Sequence, residues 1–399
     1  MTAGARLRPG LIAAALGAAL VLAGCSSSDP TVDPGDAGVS AGSSASPDEH
    51  AGHATGAARP ASRPLRAGER FVELAMPAAY TPAAPTGVGT DDYRCFLLDP
   101  GLQKDTFITG IDVLPGNPDV VHHVILFRVP PESVGVAVAK DSQDEGQGWS
   151  CFGGTGLDTG PSLDSAPWLG AWAPGGGEGV MAKDVGIPLA SGSQVIMQVH
   201  YNLLAGQEPD VSAARLRLAS GDKDLAPLQT MLLPAPVELP CRAGHDDGPL
   251  CDREAAVADN ERRFGPAAQA ANYLHMLCGS YEAGPVQHCD RRVKEPTTIR
   301  AVAGHMHLLG RRIRIQVDPG TPKARTVLDI PVWDFDDQGS RPIDPVRLEP
   351  GDTVRVTCRH DQALRDMLPA FKGQEERYVV WGEGTTDEMC LGMLLVTRP

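Results

Sequence analysis

Beyond Ala23 this 399-residue chain has no apolar run approaching the roughly 18 residues that a helical membrane span needs. It also lacks a net positive charge. A formal net charge of −15 excludes the basic footprint of a nucleic-acid binder and an electrostatic hold on anionic lipid. Long helical periodicity is scarce, whereas Gly and Pro are abundant and short Val, Ile and Leu runs are dense, which points to a mainly β architecture. No two of the nine cysteines make a C-x-x-C, which argues against a zinc site built on thiolates.

What is present begins with an export signal. Arg6 and Arg8 form a short basic region, and Leu11 to Ala23 is an apolar stretch too short for a stable span. It ends in Leu22-Ala23-Gly24-Cys25, which resembles a bacterial lipoprotein lipobox. That resemblance implies that residues 1–25 are signal and lipobox, that Cys25 carries lipid, and that the protein is exported and lipid-anchored to the bacterial cell membrane, at the cell surface or periplasmic face. Residues 26–68 are rich in Ser, Ala, Gly and Pro with almost no large aliphatics, and cannot bury enough surface to offset their ordering entropy. They read as a tether in which His50 and His53 are solvated.

The remaining stretch, roughly 330 residues, suits two domains, 69–233 and 234–399, divided near the Pro-rich Leu233-Pro234-Ala235-Pro236. Eight cysteines remain after Cys25, an even number that implies up to four disulfides in an oxidising compartment; counting does not resolve their 105 pairings. Four of them, Cys241, Cys251, Cys278 and Cys289, bracket a charged excursion with helical spacing from Gly265 to Leu277. His245, His275 and His288 within it read as solvated or packed side chains. Strands are expected at Arg70–Met76, Asp91–Leu98, Phe107–Leu114, Val120–Phe127, from Trp168 into a glycine turn, and at Ala214–Leu218, with Arg312–Val317, Thr326–Ile330 and Asp352–Cys358 later. Val136–Gly160 reads as loop.

Four places carry metal-ligating chemistry. His305 and His307 stand in a β-type run, so they share a strand face about 6.5–7 Å apart. Two neutral imidazoles at that spacing can converge on one transition metal. His122 and His123 are adjacent in a strand and face opposite ways, so both reach one metal only if the strand bulges or the rings use different nitrogens. In Ser193–Asn202, His200 shares a face with Gln194, Ile196 and Gln198, which suits a third ligand. Met389, between Asp387-Glu388 and Cys390, sits exposed in polar sequence, where core filling is a poor explanation for a methionine.

In order, His122-His123, Gln198-Val199-His200-Tyr201, His305-x-His307 with Leu308-Leu309-Gly310, and Gly382-Glu383-Gly384 leading to Asp387-Glu388-Met389-Cys390 resemble one family. It is the ascorbate-dependent type II copper monooxygenases, the family of the peptide-amidating hydroxylase and dopamine β-hydroxylase. Ala171-Trp172-Ala173 also fits, and the resemblance covers roughly residues 70 to 399. It implies an all-β fold of two tandem jelly-roll-like antiparallel sandwiches facing across a cleft. It implies two coppers per chain: an electron-transfer copper on His122, His123 and His200, and an oxygen-binding, catalytic copper on His305, His307 and Met389. A soft thioether suits Cu(I). Tyr93 and Gln198 match positions near the first copper, and the implied disulfides are Cys95–Cys151 and Cys358–Cys390, the second fixing the loop that presents Met389. The implied reaction is hydroxylation of a C–H bond of a small molecule by dioxygen, with ascorbate or a similar one-electron reductant as co-substrate.

The departures concern substrate. Ala303 stands where the amidating enzyme has an Arg that helps bind the peptide carboxylate, and Leu391 and Met393 stand where the family has Asn and Tyr. Peptide amidation is therefore not expected, and the pocket should be more apolar. Two other readings remain open at this point: a lipid-anchored copper-binding protein for storage, sensing or delivery without turnover, and a structural lipoprotein with vestigial sites.

Overall fold

The structure, a computed structural model, describes residues 61–399 apart from 85–89, 144–145, 153, 158–162, 165, 175, 205, 266–268 and 280–281. Cys25 with its lipobox, His50 and His53 lie outside the described residues. The described residues belong to one compact unit, and none of their helices is long and apolar enough to cross a membrane.

The first ten strands are β1 (Arg70–Ala75), β2 (Asp91–Leu98), β3 (Thr106–Leu114), β4 (Val121–Val129), β5 (Trp149–Ser150), β6 (Trp168–Trp172), β7 (Gly179–Val180), β8 (Val185–Leu189), β9 (Gln194–Asn202) and β10 (Ala213–Ser220). They make two antiparallel sheets, β1-β10-β3-β8, with β7 on β3, and β5-β2-β9-β4-β6. Phe96, Leu126, Val199 and Leu216 close the core between them, each fully buried apolar side chain contributing about 1.5–3 kcal/mol. β9 is buried on both faces except at its ends. Its Val195, Met197, Val199 and Tyr201 face that core, which turns Gln198 and His200 to the other side.

The second ten are β11 (Ala226–Pro234), β12 (Glu238–Leu239), β13 (Val286–Arg292), β14 (Thr297–His305), β15 (Gly310–Val317), β16 (Arg325–Ile330), β17 (Arg341–Leu348), β18 (Thr353–His360), β19 (Val379–Val380) and β20 (Leu391–Thr397). Sheets β11-β20-β14-β17 and β13-β18-β15-β16 form a second sandwich, with β12 and β19 paired beside it. Ile299, Ile313, Val356 and Leu394 lie in its core. The all-β expectation thus stands. A parallel pairing of β8 with β11 joins the sandwiches into one nine-stranded sheet.

Local structure differs from the sequence pattern in three places. Helix α1 (Val134–Asp141) starts the stretch expected to be loop. Helix α2 (Arg253–Phe264) was not anticipated; the Asp252 carboxylate caps it by accepting from the Ala255 N–H, and Gly265 at φ +72° ends it. Only α3 (Ala270–Cys278) matches the expected helical spacing. Disulfides Cys241–Cys251 and Cys278–Cys289 staple this excursion, beside Cys95–Cys151 and Cys358–Cys390, the two the resemblance implies. His245 and His288 are exposed, whereas His275 contacts the buried Glu238 carboxylate at 2.6 Å. Arg253 (2.8 and 2.7 Å) and the Tyr378 hydroxyl (2.9 Å) also donate to Glu238. In the first sandwich Arg217, 1 % exposed, donates to the carbonyls of Arg63 and Pro64 and pairs with Glu69 and Glu178, so the incoming chain is fixed to the sheet.

Candidate metal centre and its cavity

The pairing of β4 with β9 slips between Val121, opposite Tyr201, and His123, opposite His200. His122 is the extra residue of this bulge, and its ring swings to the side that His123 occupies. The three Nδ1 atoms of His122, His123 and His200 then lie 3.2–3.3 Å from one another. These histidines form a group that could hold a metal ion. A point equidistant from such a triangle is about 1.9 Å from each corner, close to the roughly 2.0–2.1 Å of a metal–imidazole bond.

The protonation states fit as well. Burial, then the neighbouring imidazoles, pushes His122 and His123 well below the usual histidine range, so both are neutral. His200 Nε2 lies 2.8 Å from Asp91 Oδ1. With the proton on Nε2, Nδ1 offers its lone pair to the centre, the carboxylate–histidine arrangement of many metal sites. Burial works against ionisation of Asp91, but its contacts with His200, Thr385 and Thr90 outweigh that and hold the carboxyl well below its ordinary value. Tyr93 stacks on the His200 ring at 4.0 Å. Gln198 turns instead to the Cys151 loop, donating to the carbonyls of Cys151 (2.7 Å) and Gly154 (2.9 Å).

His305 ends β14 and His307 follows in the turn, their ring centroids 5.0 Å apart. His305 Nδ1 meets Gln338 Oε1 at 2.5 Å, and His307 Nδ1 is 3.2 Å from the Asp387 carbonyl. A proton on each Nδ1 leaves Nε2 as the lone pair. Burial, followed by the charge of His307, pushes His305 down to about 3, and burial also lowers His307. Met389 is not exposed as the polar sequence around it suggested: it is 7 % exposed and lines one cavity together with His305. The reason is the disulfide from Cys390 to Cys358, which draws its loop into the sandwich.

Residues 381–390 link the two histidine sets. The Thr385 N–H (3.1 Å) and hydroxyl bond to Asp91, the carboxylate behind His200. The Tyr93 hydroxyl donates to the Glu383 carbonyl at 2.7 Å. Buried Glu388 accepts from the N–H groups of His307 (2.9 Å) and Leu309 (2.5 Å), and Arg263 clasps Asp387 at 3.0 and 2.7 Å. His360 Nε2 reaches the Met389 carbonyl at 3.2 Å. The sets themselves approach closely, with 6.1 Å between the rings of His123 and His305. Sequence reasoning missed Asp91, Thr385, Glu388 and His360. Only His360, two residues from Cys358, carried a signal, since alternation puts it on the strand face of that disulfide.

Beside these residues lies a cavity of about 920 Å³, lined by His123, His305 and Met389 at one end and mostly by apolar side chains elsewhere, with Glu178, Arg300, Asp337 and Glu383 also on its walls. Leu391 and Met393, the departures from the family pattern, are among them, as are Ala171 and Trp172. Its volume falls in the range of small-molecule sites.

No protein-family model matches the chain, and no curated protein matches it. Among solved structures the chain is similar to a Paenibacillus xanthan lyase at 11 % identity and a TM-score of 0.18, over 81 % of this chain and 25 % of that one. It is similar to a fucolectin from striped bass (Morone saxatilis) serum at 7 % identity and a TM-score of 0.19, over 78 % and 84 %. It is also similar to procruciferin, the 11S globulin of Brassica napus, at 11 % identity and a TM-score of 0.16, over 84 % and 83 %. The chain thus spans about a quarter of the length of the xanthan lyase. Likenesses at these scores say nothing about activity.

Proposed function

We propose that the chain is a copper-dependent monooxygenase of the ascorbate-dependent type II class. It would hydroxylate a C–H bond as R–H + O₂ + 2e⁻ + 2H⁺ → R–OH + H₂O, with the electrons from a one-electron reductant such as ascorbate. The observation that carries the reading is that the three-imidazole group, through His123, borders one end of an apolar cavity that His305 and the buried Met389 also line, with the His123 and His305 rings 6.1 Å apart and the His307 ring 5.0 Å from that of His305. A thioether in place of a carboxylate or thiolate favours copper over zinc or iron. His122, His123 and His200 would hold one copper and His305, His307 and Met389 the other. When bound, copper supplies one-electron steps and a place for dioxygen.

The chain's own residues do the rest. Asp91 keeps the proton on Nε2 of His200, and the Asp387 carbonyl keeps it on Nδ1 of His307, so each ring aims one lone pair. Glu388 ties the turn bearing His307 to the residue before Met389. The apolar walls position a substrate and limit water at the reacting carbon. Export and lipid anchoring through Cys25 belong to the same proposal.

Anaerobic Cu(I) titration with X-ray absorption tests it. About two coppers per chain are expected, with sulfur scattering at one. His200→Ala should lose one copper and keep the sulfur signal. A stoichiometry of one, or loss of both coppers in that variant, would contradict the assignment.

A further inference from the structure

The cavity has a direction, and the strand registers give it. On one wall β20 contributes alternate residues Leu391, Met393 and Leu395. Pairing sets His305 beside Leu391 and Ala301 beside Leu395, so the histidine end is at Leu391 and the far end at Leu395, about 13 Å away. On the facing wall β4 contributes His123, Ile125 and Phe127, again alternate residues. Phe127 packs edge-on to Trp168 at 5.8 Å, the Trp168 carbonyl accepts from Thr230 at 3.2 Å, and Thr230 pairs with Leu395. Both walls therefore run the same way, from histidine to hydrocarbon. The space is a slot between two sheets.

Its charges are distributed unequally. Arg300 is ion-paired to Asp184, Glu178 to Arg217 at 2.7 Å, and Asp337 to Arg341 at 3.5 Å. Glu383, whose backbone carbonyl accepts from Tyr93 at the histidine end, lines the cavity, is 8 % exposed and has no cationic partner among the described residues. Its carboxyl meets the Trp381 side chain and lies near Asp387, another acid. The indole N–H of Trp381 leaves a carboxylate spare acceptor capacity, which a donor in the adjoining space can use. A second carboxylate there would be repelled.

We propose that the slot binds an elongated apolar molecule whose hydrogen-bond-donating head, a hydroxyl or an ammonium, meets Glu383 while its hydrocarbon lies along Leu391, Met393 and Leu395. This rests on the monooxygenase reading for the fate of the ligand, but not for its binding. The head sits beside the histidines, which puts the first carbons of the chain at the metal-holding end. Anionic ends are selected against.

Isothermal titration calorimetry of the full chain with straight-chain probes at about pH 8, where most of Glu383 is ionised, tests this. 1-Decanol and decylammonium are expected to bind, and decanoate at least tenfold more weakly. Affinity in the alcohol series should rise about fourfold per methylene. It should level off near ten carbons, taking C–C bonds of roughly 1.5 Å in an extended zigzag over the slot. Glu383→Gln should keep decanol within threefold and weaken decylammonium tenfold or more, separating the two head chemistries. Leu395→Trp, or the milder Leu395→Phe if the first does not fold, should move the plateau to shorter chains. Decanoate binding as well as decanol, or a plateau unmoved in a folded Leu395 variant, would overturn the proposal. Binding as described with no oxygen uptake under ascorbate would leave the slot standing and remove the monooxygenase reading instead.

Discussion

Glu383 buries a carboxyl among apolar side chains, and that links its ionisation to folding. Burial, opposed by the Trp381 contact and reinforced by Asp387, pushes the group up to about 7. Between the unfolded value of roughly 4.3 and that folded value the native state binds more protons, so this residue's contribution to stability falls as pH rises. Replacing it by Gln removes the dependence. Glu383→Gln should match wild type near pH 4 and be the more stable at pH 8 by about 2–4 kcal/mol, read from denaturant melts at both values. A difference that does not change with pH would contradict the burial argument. At this scale the sequence was partly legible. The five histidines and Met389 stood out because their types and spacings carry ligand chemistry. Asp91, Thr385 and Glu388 did not, since an acid or a threonine is informative only once the fold brings in a partner 81 or 294 residues away.

Among elements, the bulge at His122 and the loop 381–390 decide the site. A regular strand would send the rings of His122 and His123 to opposite faces; the slipped pairing brings three Nδ1 atoms together. The sequence stated that requirement but could not show it was met, because a bulge is a property of the pair of strands. Strand existence was readable from alternation, as in Gln194–Asn202 and Asp91–Leu98. Helix α2 escaped notice because its face is charged and only Ala256, Val257 and Asn260 are buried, so its apolar periodicity is faint. The Cys358–Cys390 disulfide closes a separation of 32 residues, which chain entropy values at about 3–4 kcal/mol. The paired variant Cys358→Ala, Cys390→Ala should lose stability of that order. It should also lose amide protection in residues 381–390 before β20 does. Uniform loss across the molecule would mean that the disulfide does not hold this loop in particular.

For the whole molecule, one continuous sheet carries β14 and β20 under the slot, and the sheet of β4 and β9 covers it. The β8–β11 pairing that joins the sandwiches was not legible, because parallel contacts between distant strands leave no local pattern. The lipobox reading makes the anchor separable from this body, since Arg217 grips the chain at Arg63 and Pro64, well after Cys25. Cys25→Ala should therefore yield folded protein with the same copper stoichiometry that no longer partitions into membranes on detergent phase separation; a variant still in the membrane fraction would contradict the lipid anchor. The central claim is that Met389 completes a site for oxygen chemistry rather than storage. A thioether is a neutral ligand that stabilises Cu(I), and Ile keeps roughly its volume without the sulfur. The decisive measurement is oxygen uptake under ascorbate, with 1-decanol and decylammonium supplied, in wild type and Met389→Ile. The account predicts substrate-dependent uptake in wild type and its loss in the variant, with copper still bound through His305 and His307 at reduced affinity. Substrate-dependent uptake unchanged in Met389→Ile would contradict it.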